Sequence, residues 1–296
     1  IAICDTGNLC GALEFSEALA KSGTQPIIGT QINLKYNDFF GSLPLFAKDL
    51  DGYKNLIKLS SKSFLEINES DSPHCLFEDL IENNRGLVVF SGSLDSLFGK
   101  LFIKNRLKDL DKLASIIKVN FKDNFYLEIQ RHNDIGEKDF ENFLLKFSLV
   151  NNFPLIATQE VFYLNKDMHE AHDAFICVGE KTYINEKNRK RYTNQHYLKD
   201  NEEMIKTFQD LPEAIENNFN LPFKFNYRPK KSEPVLPNIK THKSLSVEDE
   251  LEKQANEGFE YKLNEFVLSK IQENKKKEII KTYKNRLSHE IKILIK

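Results

Sequence analysis

Apolar runs of strand length alternate with stretches of helical period through the first two hundred residues. That alternation restricts the chain to a parallel sheet or barrel covered by helices. The strand candidates are Ile1 to Cys4, Pro26 to Ile28, Leu87 to Phe90, Phe125 to Ile129 and Leu155 to Thr158. Between them, Leu94 to Val119 carries Leu97, Leu101, Leu110, Leu113 and Ile117 near helical spacing, and Glu137 to Val150 aligns Phe140, Phe143, Leu144 and Phe147 on one stripe. Such stripes are core faces and call for no ligand. Functional groups in alternating α/β folds gather where strands run into loops, so the residues just after each apolar run are the ones to read for chemistry.

The character changes after Asn201. Glu202 to Asn218 is polar helical sequence, and residues 222–246 are rich in proline and lysine, with Pro229, Pro234 and Pro237 blocking regular helix. From Val247 the chain is helical and charged, with nine Lys and Arg against three Glu after residue 269. The expected organisation is a domain over 1–221, a linker over 222–246 and a helical segment over 247–296. Lysine and arginine number 42 against 44 aspartates and glutamates, a net charge of −2, so any polyanion-binding surface has to be local. Four cysteines at 4, 10, 75 and 177 form no CxxC pair, which fits reduced thiols and neither a zinc ribbon nor a disulfide frame. No run of about 18 apolar residues is present, and a cytoplasmic location without membrane partners is expected. The chain opens in mid-strand on Ile1 and closes inside a helical pattern, so a fragment of a longer polypeptide is expected.

The first apolar run leads into Asp5-Thr6-Gly7-Asn8, followed by Gly11-Ala12-Leu13-Glu14-Phe15. This resembles the Asp-His-Gly-Asn and Gly-Ala-Leu-Glu-Phe of the polymerase and histidinol phosphatase (PHP) domain in the bacterial DNA polymerase III alpha-subunit family. Pro26 to Gln31 is similar to the family's Pro-Ile-Ile-Gly-Cys-Glu, Ser42 to Lys48 to its His-Leu-x-Leu-Leu-Ala-Lys, and Ala157 to Leu164 to its Ala-Thr-Asn-Asp-Val-His-Tyr-Leu. His196-Tyr197-Leu198-Lys199, Glu202-Glu203-Met204 and Leu211 to Asn217 resemble a stretch typical of the replicases and absent from free-standing phosphatases. Gly258-Phe259 and Tyr283 to Ile291 look like the helical entry to a polymerase palm.

The resemblance implies a distorted seven-stranded βα barrel, here without its first strand, followed by a linker and the helical start of the palm. It also implies a metal cluster at the strand ends, and the donors for that cluster are eroded. Thr6, Ser42 and Phe162 stand at histidine positions and Gln31 at a bridging glutamate; Asp5, His132 and Glu160 keep donors. Hydroxyls, amides and phenyl rings are poor partners for zinc or manganese, so no divalent metal is expected at this site. Asp5 is expected to serve as a turn or cap residue and His132 as the best retained ligand candidate.

His169 and His172, three apart on a probable helix, are expected to be structural. Ser91-Gly92-Ser93 lacks a nucleophile elbow. The resemblance further implies a non-catalytic scaffold within a DNA-directed DNA polymerase. The Mg²⁺-binding aspartates of the palm are expected beyond Lys296 in the parent chain, and the implied partners are the rest of that chain, a proofreading exonuclease subunit and primer-template DNA. The competing reading is an active metal-dependent phosphoesterase or 3′-5′ exonuclease.

Overall fold

The structure is a computed structural model that describes residues 1–68, 70–235, 237, 241 and 245–295. Two compact units divide it, Ile1–Lys231 and Ser232–Lys296. The first is built on seven strands: β1 Ala2–Thr6, β2 Ile27–Tyr36, β3 Phe39–Ala47, β4 Cys75–Leu76, β5 Leu87–Phe90, β6 Phe125–Ile129 and β7 Leu155–Ala157. They hydrogen-bond in the order β1-β2-β3-β5-β6-β7, with β4 beside β2, and curl into a half-barrel. The α/β class and the PHP-type barrel are as expected from the sequence.

The expectation of a wholly parallel array is corrected at β2 and β3. These strands pair antiparallel, as do β3 and β5, while the other neighbours on the path are parallel. The hairpin turns at Asn37, whose φ of 52° is a conformation that asparagine tolerates better than most side chains. After α1, Ala12–Lys21, α2, Leu50–Leu65, and α3, Phe77–Glu82, the apolar stretch 94–119 is likewise two helices, α4 Leu97–Ile103 and α5 Leu107–Phe121. They part at Asn105, also left-handed at φ 52°. Ser96 starts α4 by accepting the Gly99 amide at 3.1 Å, a side-chain cap for an amide with no partner inside the helix. After α6, Glu137–Asn151, and α7, His169–Glu180, the polar stretch 202–218 also breaks in two, into α8, Asn201–Thr207, and α9, Pro212–Asn220, which Pro212 opens.

Alternate residues of the central strands face opposite layers. Val89, Phe125, Leu127, Ile129, Leu155 and Ala157 join the large helix-facing core, together with Phe98, Leu101, Leu110, Leu113 and Ile117. Val88, Phe90, Tyr126 and Ile156 turn inward and meet Ile27 and Phe46. Leu221 and Phe225 complete this inner cluster. They belong to a segment lying across the ends where the parallel strands begin: Gln25, just before β2, donates to the Phe225 carbonyl at 2.9 Å, and the Asn226 amide donates to Lys48 at 2.9 Å. Residues 222–231, expected in the linker, therefore close one end of the half-barrel. Of the remaining linker residues, 236, 238–240 and 242–244 lie outside the described residues.

In the second unit Ser246 caps α10, Val247–Lys262, by accepting from Asp249 at 3.0 Å. A π-helical turn, Leu263–Val267, and a short 3₁₀ turn lead to α11, Glu273–Leu294. Leu263 and Ile291 are its buried apolar side chains among the described residues.

Candidate functional site: the mouth of the half-barrel

At the opposite end of the half-barrel from Phe225, the inward residues turn polar. Thr6 and Gln31 are register partners on β1 and β2, and Ser42 on β3 reaches the Gln31 side-chain oxygen at 3.4 Å. Glu128 and Gln130 leave β6 on the same side, and Thr158 and Glu160 follow β7. A cleft of about 590 Å³ runs through the half-barrel from Phe225, Leu221 and Phe90 to Thr6, Gln31, Glu128, Gln130, Glu160 and Phe162 at the mouth. A second, of about 500 Å³, shares Glu128, Gln130 and Glu160 and is rimmed by Asp95 and Lys190. Of the positions that motif reading assigned to one site, Asp5, Thr6, Gln31, Glu160 and Phe162 line the first cleft and Ser42 lies beside Gln31, whereas His132 lines neither cleft.

Glu128 is the residue that reading missed. It is 6 % exposed. Its Oε1 accepts from the Thr158 hydroxyl and from Gln130 Nε2 at 2.9 Å, whereas Oε2 has no partner. Burial pushes the carboxyl up, against those two hydrogen bonds. The available signal was a lone acid in an otherwise apolar strand, Phe125-Tyr126-Leu127-Glu128-Ile129. Cys4 lies close by, its thiol driven well above its ordinary value by burial and then by Glu128, Asp5 and Glu160.

His132 is 1 % exposed and fully engaged. Its Nε2 accepts the Glu160 amide at 3.0 Å, which places the ring proton on Nδ1, 3.3 Å from a Glu137 oxygen. The Glu137 carboxylate also accepts the His132 and Asn133 amides at 2.7–2.8 Å. His196 stacks flat on His132, with centroids 4.1 Å apart and planes 6° from parallel. Both His196 nitrogens face acceptors, the Glu160 carbonyl at 3.1 Å and Asp134 Oδ2 at 3.2 Å. The His196 hydrogen bond holds the Asp134 carboxyl below its usual value, with burial opposing. Together the two imidazoles grip the main chain of Glu160 from either side.

Other expectations resolve locally. Asp5 does not cap the turn after β1; Asn8 does, donating to the Thr6 carbonyl at 3.1 Å and accepting from Cys10 at 3.0 Å. Asp5 instead offers its main-chain carbonyl to Thr30 at 2.8 Å. Phe162 packs among His172, Tyr192 and His196, with centroids 4.3–5.3 Å away, making an aromatic wall where a ligand histidine was implied. His169 donates to the Tyr192 carbonyl at 2.9 Å. Burial, then His169 and His196, lower the His172 pKa. Ser91 accepts the Glu128 amide at 2.9 Å and so positions that strand. Lys190 lies over the Tyr192 ring at 4.8 Å. Burial opposes its charge, but Tyr192, Asp95 and Glu160 raise its pKa on balance.

These residues do not fit a transition-metal cluster. His132, Asp134 and His196 do bring potential ligand atoms within 4.8 Å of one another. A nitrogen lone pair, however, lies in the plane of its ring, and two parallel rings about 4 Å apart share no point at the roughly 2.0–2.1 Å that a zinc–nitrogen bond requires. The lone pair on His132 Nε2 is also taken by the Glu160 amide. Ligation here would require both rings to turn and Glu160 to be released.

Comparison with known proteins gives a consistent relationship. Residues 1–132 match the PHP domain family. The DNA polymerase III subunit alpha of Rickettsia bellii is 36 % identical over 296 residues, covering 99 % of this chain and 25 % of the relative. That of Caulobacter vibrioides is 31 % identical over 302 residues, covering 99 % of this chain and 26 % of the relative. That of Borreliella burgdorferi is 38 % identical over 230 residues, covering 73 % and 20 %. The chain spans about a quarter of the length of the alpha subunits it matches.

Proposed function

This chain carries a PHP domain and is homologous along its length to part of the DNA polymerase III alpha subunits, and from that premise we propose that it is a metal-free PHP scaffold within a replicative DNA polymerase. The observation that carries this reading is the use of His132, the best retained ligand candidate, as a clamp on Glu160. A side chain with both nitrogens committed to the protein stabilises a loop and leaves nothing for a metal that would make hydroxide from water. The parent chain would synthesise DNA in the cytoplasm with Mg²⁺ held in its palm, and this domain would support the palm and dock a proofreading exonuclease subunit.

Two measurements test it. Titration of the chain with Zn²⁺ and Mn²⁺, followed by calorimetry and by hydrolysis of a phosphodiester ester, is expected to show neither stoichiometric binding nor turnover. In pull-down, the intact parent is expected to retain its proofreading subunit and to lose it when residues 1–231 are removed. The competing reading, an active phosphoesterase, draws on the unpartnered Glu128 Oε2 in the mouth. Two tightly bound ions per chain and metal-dependent turnover abolished by Glu128→Gln would establish it instead.

A further inference from the structure

The cleft that runs through the half-barrel is acidic at one end and apolar at the other. Asp5 from β1, Glu128 from β6 and Glu160 after β7 line it, and among the described residues no lysine, arginine or histidine does. The Ile1 ammonium lies at the far end and donates to the Gln25 carbonyl at 3.0 Å. Cys4, also in the lining, registers the field of the acids: after burial, Glu128, Asp5 and Glu160 push its thiol up. Below them the walls are apolar. Phe46 and Phe90 lie with centroids 4.7 Å apart, and Ile27, Ile156, Leu221 and Phe225 complete the wall.

Three acids alone do not make a site. Glu128 adds a buried carboxyl with one oxygen left over. Thr158 and Gln130 are spent on Oε1, and Oε2 has no partner. The Gly92 amide, the weakest of the influences on this carboxyl, lies outside hydrogen-bond geometry. An enclosed oxygen without a donor costs free energy until one arrives, and a further donor has to enter from the cleft. The volume falls within the roughly 300–1,000 Å³ of small-molecule sites, which are apolar with a few convergent polar groups. An anion would meet three carboxyl groups, and a bare metal ion would leave the apolar walls unfilled. A cation with an apolar body satisfies both ends.

We propose that this cleft binds a small organic ammonium ion, its charged end on Glu128 and its apolar body against Phe46 and Phe90. The site goes beyond the scaffold reading, which concerns metal ions and protein docking. An ammonium ion binds the ionised carboxyl, and in the free protein burial holds the proton on Glu128 to a higher pH than usual, so affinity should rise with pH through that range. The titratable groups facing Glu128 are Cys4 and Asp5 of β1 and Glu160 after β7, with Asp95 and Lys190 across the second cleft.

The test is calorimetric titration of the chain with 2-phenylethylammonium chloride, and with 2-phenylethanol as a neutral counterpart of nearly the same shape. The ammonium ion is expected to bind about tenfold more tightly than the alcohol, and more tightly at pH 8 than at pH 5. Glu128→Gln is expected to weaken it by about tenfold and to remove the pH dependence. Glu14→Gln, the same charge change on the exposed face of α1, should leave binding unchanged. Nuclear Overhauser contacts from the phenyl protons to Phe46 or Phe90 test the pose without any variant. Equal affinity for the alcohol, an affinity unchanged in Glu128→Gln, or no binding at pH 8 would each overturn the proposal. Stoichiometric binding of Zn²⁺ or Mn²⁺ would strike the scaffold reading instead, so the two can fail separately.

Discussion

The same strands build two unlike environments in the half-barrel, and the difference separates what holds the fold from what remains at its mouth. On the helix-facing side, Leu127, Phe125 and Phe98 are sealed and apolar. Next to Leu127 and past the end of β6 the inward residues are polar, with Glu128 and His132 equally buried and Gln130 half-buried, and each is satisfied by a specific neighbour or left with one orphan atom. Burial alone stabilises the first region. In the second it adds stability only through the partners that each polar atom finds.

The largest contrast is expected from Phe98→Ala. Phe98 is fully buried and stacks on Phe125 at 5.6 Å, and truncation leaves a cavity between α4 and the sheet that costs about 3–5 kcal/mol. Urea unfolding of the chain measures it. A loss under about 1 kcal/mol would mean that the helix-facing layer can collapse onto the gap, and the distinction between the two regions would fail.

The mouth is expected to respond to pH through two carboxyls of opposite sign. Asp134 is held low when folded. Its contribution is therefore complete above the ordinary aspartate value near 3.9 and disappears as pH falls through the lower folded value. Its side chain is 36 % exposed, so screening limits Asp134→Asn to a loss of about 1 kcal/mol at neutral pH. The loss should shrink toward zero in acid, where the wild type has surrendered the same charge.

Glu128 is raised when folded. The fold favours its neutral form, so its contribution is complete below the ordinary glutamate value near 4.3 and is lost as pH rises toward the higher folded value. Glu128→Gln keeps the shape without the charge. It should stabilise the chain at pH 8 and change little at pH 4. Stability curves against pH for the two variants that bend in the same direction would refute this account of the mouth.

What the sequence made legible follows the same division. Strands β5 and β6 and helix α6 were readable to within a residue, because period and apolarity arise from neighbours along the chain. Asn37 and Asn105 hid the hairpin and the helix break, since a left-handed turn at asparagine leaves no apolar signal. Of the motif positions, Thr6, Gln31, Glu160 and Phe162 line one cleft, with Ser42 beside Gln31 and His132 held to the Glu160 amide. The partners that decide their chemistry did not show. His196 is 64 positions from His132 and meets it through a stacking contact that no spacing encodes, and Glu128 looked like one more residue of a strand.

The smallest effect is the one most specific to the mouth. Ser42 stands at a position where the family resemblance implied a ligand, yet among the described residues its side-chain hydrogen bond is the 3.4 Å approach to Gln31, at the long limit for a hydroxyl hydrogen bond. Ser42→Ala removes an oxygen that does little, and stability should change by less than about 0.5 kcal/mol. Phe98 and Ser42 would then bracket the fold, with one side chain carrying several kcal/mol and another almost none. A loss above about 1.5 kcal/mol for Ser42→Ala would show that the Gln31 pair anchors the β2–β3 hairpin, and these positions would have to be read as a rebuilt polar network that holds the barrel together.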